Sequence, residues 1–167
     1  MLPRTIAALA MLVLITSSFG ADDGWMVRED GVGPAKIGMT LPQLRAALHE
    51  RLKQEDSGSD ACWYVTPEKH PHTSFMILHG RFVRVDVTAR GIATSDGIQI
   101  GDFEAAVRKK YGPSMAVEPH TYIDDGHYLT IRSGDRKYGI RFETEKGKIT
   151  GFYAGLFSAI QYVEGCE

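Results

Sequence analysis

The sequence predicts an α+β fold built from two tandem units, each a helix followed by an antiparallel meander. Three observations predict this fold: a short phrase that occurs twice, helical spacing of apolar residues after each occurrence, and aromatic and β-branched runs after each helix. We expect the first unit to span residues 21–92 and the second to span residues 93–167, after a signal peptide at residues 1–20.

The repeated phrase sets the predicted register of the two units. Ile37-Gly38-Met39-Thr40 and Ile100-Gly101-Asp102-Phe103 stand 63 residues apart, and each opens an expected helix. In each copy the glycine lets the backbone turn sharply into the helix at low steric cost. The same spacing carries Phe75 onto Tyr138, so we expect the register to continue through the strands.

Local signals define the individual elements. Thr40 is a good N-cap for a helix predicted at 42–52, and Asp102 is the candidate N-cap of a helix predicted at 103–111. Residues 54–60 are polar and turn-rich, which predicts a loop. The tail after residue 157 is expected to pack back on the fold. Strands are predicted at 62–65, 75–78, 81–89, 120–123, 128–132, 138–144 and 148–154.

The first twenty residues predict export. Arg4 precedes an apolar run of about ten residues, which suits a signal-peptide core and is too short to span a membrane. No later segment is long or apolar enough for a transmembrane helix, so we expect a periplasmic or secreted protein. The mature chain of 147 residues has 18 basic and 21 acidic side chains, a net charge of −3. A nucleic-acid-binding protein typically has an excess of basic residues, which this chain lacks.

The two cysteines, Cys62 and Cys166, favour a disulfide in an oxidising compartment. The bond would close a loop of about a hundred residues, which contributes about 4.7 kcal/mol in the chain-entropy description. A nucleophilic thiol is the weaker alternative, because neither cysteine stands at a helix start near a histidine.

The phrase Ile37-Gly38-Met39-Thr40, followed by a helix and a meander, resembles two groups of exported bacterial proteins. The SmpA/OmlA-type outer-membrane assembly lipoproteins carry one such unit, and the beta-lactamase inhibitory proteins carry two in tandem. The resemblance implies that the helices pack on one face of a curved sheet and that the other face binds a protein. It transfers no contact residue. A link between Cys62 and Cys166 also departs from that inhibitor family, which closes local loops within each unit.

No catalytic motif for nucleophilic, phosphate or zinc chemistry occurs in the sequence, which predicts a non-enzyme without a cofactor. The candidate binding surface instead comes from strand alternation, because Tyr and Arg among smaller polar groups are typical of interface hot spots. An ordinary exposed sheet face explains the same pattern equally well. The candidate binding residues are Phe82, Arg84, Asp86, Tyr128, Arg132 and Arg141.

These observations favour a periplasmic module that binds an envelope or periplasmic protein, as an inhibitor of a hydrolase or as an envelope-assembly factor. The alternative is a protein that binds a metal or small ligand through His70, His72 and His79. Two histidines that flank one residue on an extended segment point the same way, which makes a Zn²⁺ or Cu²⁺ site possible. A hydrolase with an unrecognised site is the third hypothesis.

Overall fold

The computed structural model describes residues 24–166, with the backbone alone at 56–58. The predicted signal peptide at 1–20 lies outside the described residues. The chain forms a mixed α/β fold in which nearly all strand pairs are antiparallel. Its strands and helices, in chain order, are β1 (Val27–Arg28), β2 (Gly31–Val32), β3 (Ala35–Lys36), α1 (Leu41–Leu48), β4 (Leu52–Gly58), β5 (Cys62–Pro67), β6 (Thr73–Leu78), β7 (Arg81–Val87), α2 (Glu104–Tyr111), β8 (Met115–Pro119), β9 (His127–Arg132), β10 (Tyr138–Glu145) and β11 (Lys148–Leu156). Short 3-10 helices occupy Gly112–Ser114 and Ala159–Gln161.

The main sheet has eight strands in the order β4-β5-β6-β7-β11-β10-β9-β8, and β1 to β3 form a small separate sheet. Two four-stranded meanders therefore meet along their last strands. At this junction Val85 pairs with Ala154 and Val87 pairs with Phe152 in antiparallel register. All four side chains are buried, so the junction is part of the core.

The glycines of the repeated phrase act as the sequence predicts. Gly38 and Gly101 have φ angles of 96° and 93°, a region that side chains with a Cβ rarely adopt. Each glycine also donates its N–H to the last strand of a meander: Gly38 to the Phe82 carbonyl at 2.7 Å and Gly101 to the Ile149 carbonyl at 2.8 Å. Both helix starts are therefore docked on the sheet by the same kind of contact.

The 63-residue spacing does not extend through the strands. Phe75 pairs with Val65, and Phe142, not Tyr138, makes the corresponding pair with Leu129. Phe75 and Phe142 are both fully buried, whereas Tyr138 is only partly buried. The prediction of a constant register was wrong because the connection between β8 and β9, at 120–126, is longer than the connection between β4 and β5, at 59–61.

Both edge strands of the sheet differ from the prediction. β4 occupies most of the segment 54–60 that its polar composition had marked as a loop, and β8 lies just before the predicted strand at 120–123, which forms a turn. Edge strands face solvent and carry polar residues and proline, so their composition resembles that of loops.

The helix ends also differ slightly. α1 ends at Leu48 because His49 adopts a left-handed conformation with φ 51°. Thr40 is the N-cap of α1, as predicted, and its N–H donates to the Gln43 side chain at 2.8 Å. Phe103, not Asp102, is the N-cap of α2, because the Asp102 carboxylate accepts the N–H of Gln99 instead.

One core cluster unites the helices with the main sheet. Leu44 and Leu48 from α1 and Val107 from α2 belong to it, together with alternate residues of the strands, such as Val85 and Phe142. We call the side of the sheet that carries these strand residues the core face. The other side carries the intervening residues and contacts the C-terminal segment 157–166, and we call it the tail face.

Candidate functional site

The tail face is crossed by the C-terminal segment, and two buried arginines hold this segment in place. Arg84 on β7 donates from Nη1 to the carbonyl oxygens of Tyr162, at 2.6 Å, and Ala159, at 3.2 Å. Arg141 on β10 donates to the carbonyl of Ile160 at 3.3 Å. The carbonyls in and just after the 3-10 helix at Ala159–Gln161 thus accept hydrogen bonds from charged donors, which form stronger hydrogen bonds than neutral ones.

Arg84 is also held by a polar network on its own side of the sheet. Its Nε and Nη2 donate to the two Asp86 carboxylate oxygens at 2.6 and 2.7 Å, and Nη2 also donates to the Tyr64 hydroxyl at 3.0 Å. Its guanidinium lies 4.3 Å from the ring centroid of Tyr153. Burial opposes the charge on Arg84, but the hydrogen bonds and charge of Asp86 outweigh it and raise the pKa above its ordinary value. Arg84 is therefore a permanent cation that fixes the tail.

Arg141 repeats this arrangement in the second meander. Its guanidinium lies 4.4 Å from the Tyr128 ring centroid and donates to the Glu118 carboxylate and to the Gln161 side chain. Tyr128 in turn stacks on His120 at 4.4 Å between ring centroids. Each of the two arginines therefore packs on a tyrosine ring of the tail face, beneath the C-terminal segment.

A disulfide fastens the end of the tail. Cys166 is bonded to Cys62 at the start of β5, with Cα atoms 5.4 Å apart, as the sequence predicts. Disulfides persist in oxidising compartments, so the bond agrees with the predicted export. The tail is therefore held at two places, by the arginines near residue 160 and by the disulfide at residue 166.

The loop between these anchors is exposed. We call residues 161–165 the tail loop. Tyr162 in this loop is 47% exposed, and the Tyr122 side chain, 64% exposed, bonds through its hydroxyl to Glu164. A recess of about 360 Å³ is lined by the tail loop itself. A second recess of about 310 Å³, beside the disulfide, is also lined by Tyr162. Tyr162 thus stands between two open recesses.

The six predicted binding residues do not form an exposed surface. Phe82 is fully buried on the core face, because a β-bulge pairs Ile77 with Phe82 but Met76 with Arg84 and leaves Val83 as the extra residue. The prediction that Phe82 shares a face with Arg84 and Asp86 was therefore wrong. Strict alternation fails wherever a bulge adds one residue to a strand.

The other five predicted residues lie near the tail face, but only one of them is exposed. Arg84, Tyr128 and Arg141 are at most 5% exposed, and Asp86 is partly buried in its ion pair with Arg84. Arg132 is exposed, with its guanidinium 3.9 Å from the Phe157 ring centroid. These side chains support the tail, and the sequence analysis missed Tyr122, Tyr162 and Glu164. The only sequence signal for them was the position of Cys166 at the end of the tail.

The three histidines of the metal hypothesis do not come together. His70 and His72 precede β6 and His79 follows it, so a strand of six residues, about 20 Å long, separates them. His70 stacks on Trp25 at 3.5 Å between ring centroids. Among the described side chains, which exclude those at 56–58, no three from His, Cys, Asp or Glu are grouped in a way that could hold a metal ion.

A buried carboxylate connects α2 to the second meander. Glu104 is 7% exposed, and its carboxylate accepts a hydrogen bond from the Thr144 hydroxyl at 3.0 Å and contacts His127 Nδ1 at 3.0 Å and the Arg108 guanidinium. Burial opposes its charge, but the hydrogen bonds from Arg108, His127 and Thr144 outweigh this and lower the pKa of Glu104. The cluster positions the helix start on the sheet.

No protein family matches the chain, and no curated protein matches it. In the described part of the chain, none of the helices has the length and apolarity needed to cross a membrane. Two solved structures match the chain. An extracellular protein containing an SCP domain from Bacillus anthracis str. Ames is 12% identical, with a TM-score of 0.53, over 90% of this chain and 52% of the Bacillus protein. The uncharacterized protein yfeY from Escherichia coli is 16% identical, with a TM-score of 0.44, over 78% of this chain and 99% of yfeY. The chain spans about half the length of the Bacillus protein, and at this identity the similarity concerns the fold alone.

Proposed function

We propose that this chain is an exported, non-enzymatic module that binds a protein of the periplasm or envelope through its tail loop. The observation that carries the proposal is that the tail loop exposes Tyr162 while both ends of the loop are fixed. Tyrosine is among the side-chain types that are enriched at the energetic hot spots of interfaces. Because the loop is already ordered, binding would cost little additional conformational entropy.

The contacts beneath the loop support an inhibitor-like mode of binding. Arg84 and Arg141 hold the backbone of residues 159–162, and the Cys62–Cys166 bond holds the end of the loop. A loop held in this way can enter the cleft of a partner with its conformation unchanged. Inhibition of a hydrolase is thus our first proposal for the role, and an envelope-assembly function is the second.

We propose also that the two meanders are copies of one unit, with both helices on one face of a curved sheet. Three features support the duplication. Gly38 and Gly101 make equivalent contacts to the last strand of each meander. Both meanders contain a bulge between their last two strands, at Met76/Ile77 and at Glu143/Thr144. The strand order is the same in each half when read outward from the β7–β11 junction. The resemblance to the beta-lactamase inhibitory proteins is part of the same proposal.

The proposal is tested by affinity capture from a periplasmic extract with the wild-type protein and two single variants. In Tyr162→Ser the exposed ring of the tail loop is lost. In Phe103→Ser an aromatic side chain of greater exposure, 63%, is lost at the start of α2, away from the tail loop. Serine is a favourable N-cap residue, so this control variant is expected to fold well.

We expect the wild-type protein and Phe103→Ser to retain the same partner and Tyr162→Ser to lose most of it. The identity of the retained protein distinguishes the two roles, because a hydrolase supports inhibition and an assembly component supports an accessory function. If the Tyr162→Ser variant retains every protein that the wild type retains, the tail loop is not the binding element.

A further inference from the structure

A third recess, with a different chemistry, lies at the end of the sheet, where β6 and β7 turn and β10 begins. Its volume is about 430 Å³, which falls in the range of small-ligand sites. Leu78, Phe82, Val83 and Leu156 contribute apolar walls, and the Ile37-Gly38 segment closes one side. The recess contains no residue of the tail loop, so it is independent of the proposed protein-binding element.

Two exposed cations stand at the rim of this cavity. Arg81 donates from Nη1 to the Gly38 carbonyl at 2.9 Å, which holds its side chain across the segment that closes the cavity. The Lys137 ammonium lies 4.9 Å from the ring centroid of Tyr138, another lining residue. His79 adds a third nitrogen-bearing side chain. The rim is therefore basic above an apolar interior.

These two cations form no close ion pair in the described part of the chain. None of the lining residues is Asp or Glu. Among the side chains that the structure describes, which leave out those at 56–58, neither Arg81 nor Lys137 takes part in an ion pair within 4.0 Å. Asp135 attracts the Lys137 ammonium through its charge, but its carboxylate accepts the backbone N–H of Lys137 and the Ser133 hydroxyl and forms no ion pair with the ammonium. Two charges of one sign over an apolar cavity are complementary to a ligand with an apolar body and an anionic head.

We propose that this cavity binds a single alkyl chain that ends in an anionic head, such as a medium-chain fatty acid anion. The chain would lie against Leu78, Val83 and Leu156, and the head would accept hydrogen bonds from Arg81 and Lys137. A carboxylate of a free fatty acid and a phosphate of a monoacyl lipid share this chemistry. A cationic amphiphile does not fit the rim, because its head would be brought next to two side chains of like charge.

The proposal is tested by isothermal titration of the full-length mature protein with four probes of equal chain length below their micelle concentrations. The probes are decanoate, decyl phosphate, decyltrimethylammonium and decyl maltoside. We expect saturable binding of one molecule of decanoate or decyl phosphate, at least tenfold tighter than either of the other two. The tighter anion identifies the head group and hence the source. Equal binding of the cationic probe, several molecules bound per chain, or no saturable binding of either anion overturns the proposal.

Variants locate the binding at this cavity. Arg81→Gln and Lys137→Gln should each weaken binding of the anionic probe by roughly tenfold, since each removes a charged donor from the rim. Arg136→Gln is the matched control, because it removes an exposed cation from the neighbouring hairpin that does not line the cavity. Val83→Phe should abolish binding by filling the interior, and the two rim variants keep the test decisive if this variant folds poorly. Unchanged affinity in both rim variants, or an equal loss in Arg136→Gln, overturns the assignment.

Discussion

The Arg84→Met substitution tests the account of how the tail is held. Arg84 is 3% exposed and makes two hydrogen bonds to Asp86, one to Tyr64 and two to carbonyls of the tail. Methionine keeps much of the apolar contact but leaves the Asp86 carboxylate and the two carbonyls without their donor. Breaking a buried ion pair in this way typically costs 3–5 kcal/mol. The Asp86 side chain is 17% exposed, so we expect the lower end, about 3 kcal/mol.

The assay is urea denaturation at pH 7, followed by tryptophan fluorescence with the disulfide intact. A double variant, Arg84→Met with Asp86→Leu, should recover at least about 1 kcal/mol of the free energy of unfolding, because no uncompensated charge remains. Arg132→Met is the control, because Arg132 stacks on Phe157 but is exposed, and its loss should cost less than about 1 kcal/mol. A loss of under 1 kcal/mol for Arg84→Met, or an equal loss for Arg132→Met, would refute the reasoning.

Three further predictions concern the rest of the fold. Replacing Cys62 and Cys166 together by serine should lower the free energy of unfolding by up to about 4.7 kcal/mol in the same assay, since the bond closes a loop over a sequence separation of 104 residues; an unchanged unfolding midpoint would contradict this. Glu104→Gln should be less stable than the wild type at pH 7, and the difference in the free energy of unfolding should shrink as the pH falls below 4.5. The pKa of Glu104 is lower in the folded protein than in the unfolded chain, so its carboxylate stabilises the fold at higher pH, and this stabilisation is lost as the folded carboxylate is protonated. A difference that stays constant down to acid pH would be inconsistent with this reasoning. Gly155→Ala should lower the free energy of unfolding by about 2–3 kcal/mol, because φ is 154° and an added Cβ would overlap the Val83 carbonyl. Gly134→Ala is the control and should be nearly neutral, because an added Cβ there meets open space. Equal unfolding midpoints for the two variants would count against the packing described at the junction.

The helices, the six inner strands and the disulfide follow from local sequence signals. The role of Gly38 and Gly101 could be predicted because a glycine repeated just before a helix indicates a backbone conformation with positive φ, which glycine adopts at low cost. The cysteines were informative because only two are present and export makes their pairing favourable. Each of these inferences depends only on residues that are close in the sequence or on composition, and both can be read from a single sequence.

The placement of Phe82 could not be predicted in the same way. Because Val83 is an extra residue in the strand, Phe82 lies on the core face while Arg84 lies on the tail face. Valine fits either face of a sheet, so the sequence gives no signal of the bulge. The edge strands β4 and β8 were missed because half of their backbone hydrogen-bonding groups face solvent, as do most side chains of β8.

The candidate site depends on a contact between distant parts of the chain. Strand alternation places Arg84 and Arg141 on the face opposite the core, and from this alternation alone we expected their side chains to be exposed. The structure covers them with residues 159–162, which are 75 or more positions from Arg84 in the sequence. Such long-range coverage leaves no periodic signal, so residues expected to bind a partner are instead the ones that hold the tail loop.

Photo-cross-linking from the tail loop is the most direct test of the central proposal. A benzoyl-phenylalanine residue would be placed at position 162 in one protein and at position 103 in another, and both would be irradiated in cells that export them. The account predicts one specific adduct from position 162, lost on reduction of the Cys62–Cys166 bond, and none of that mass from position 103. No adduct from position 162, or the same adducts from both positions, would contradict it.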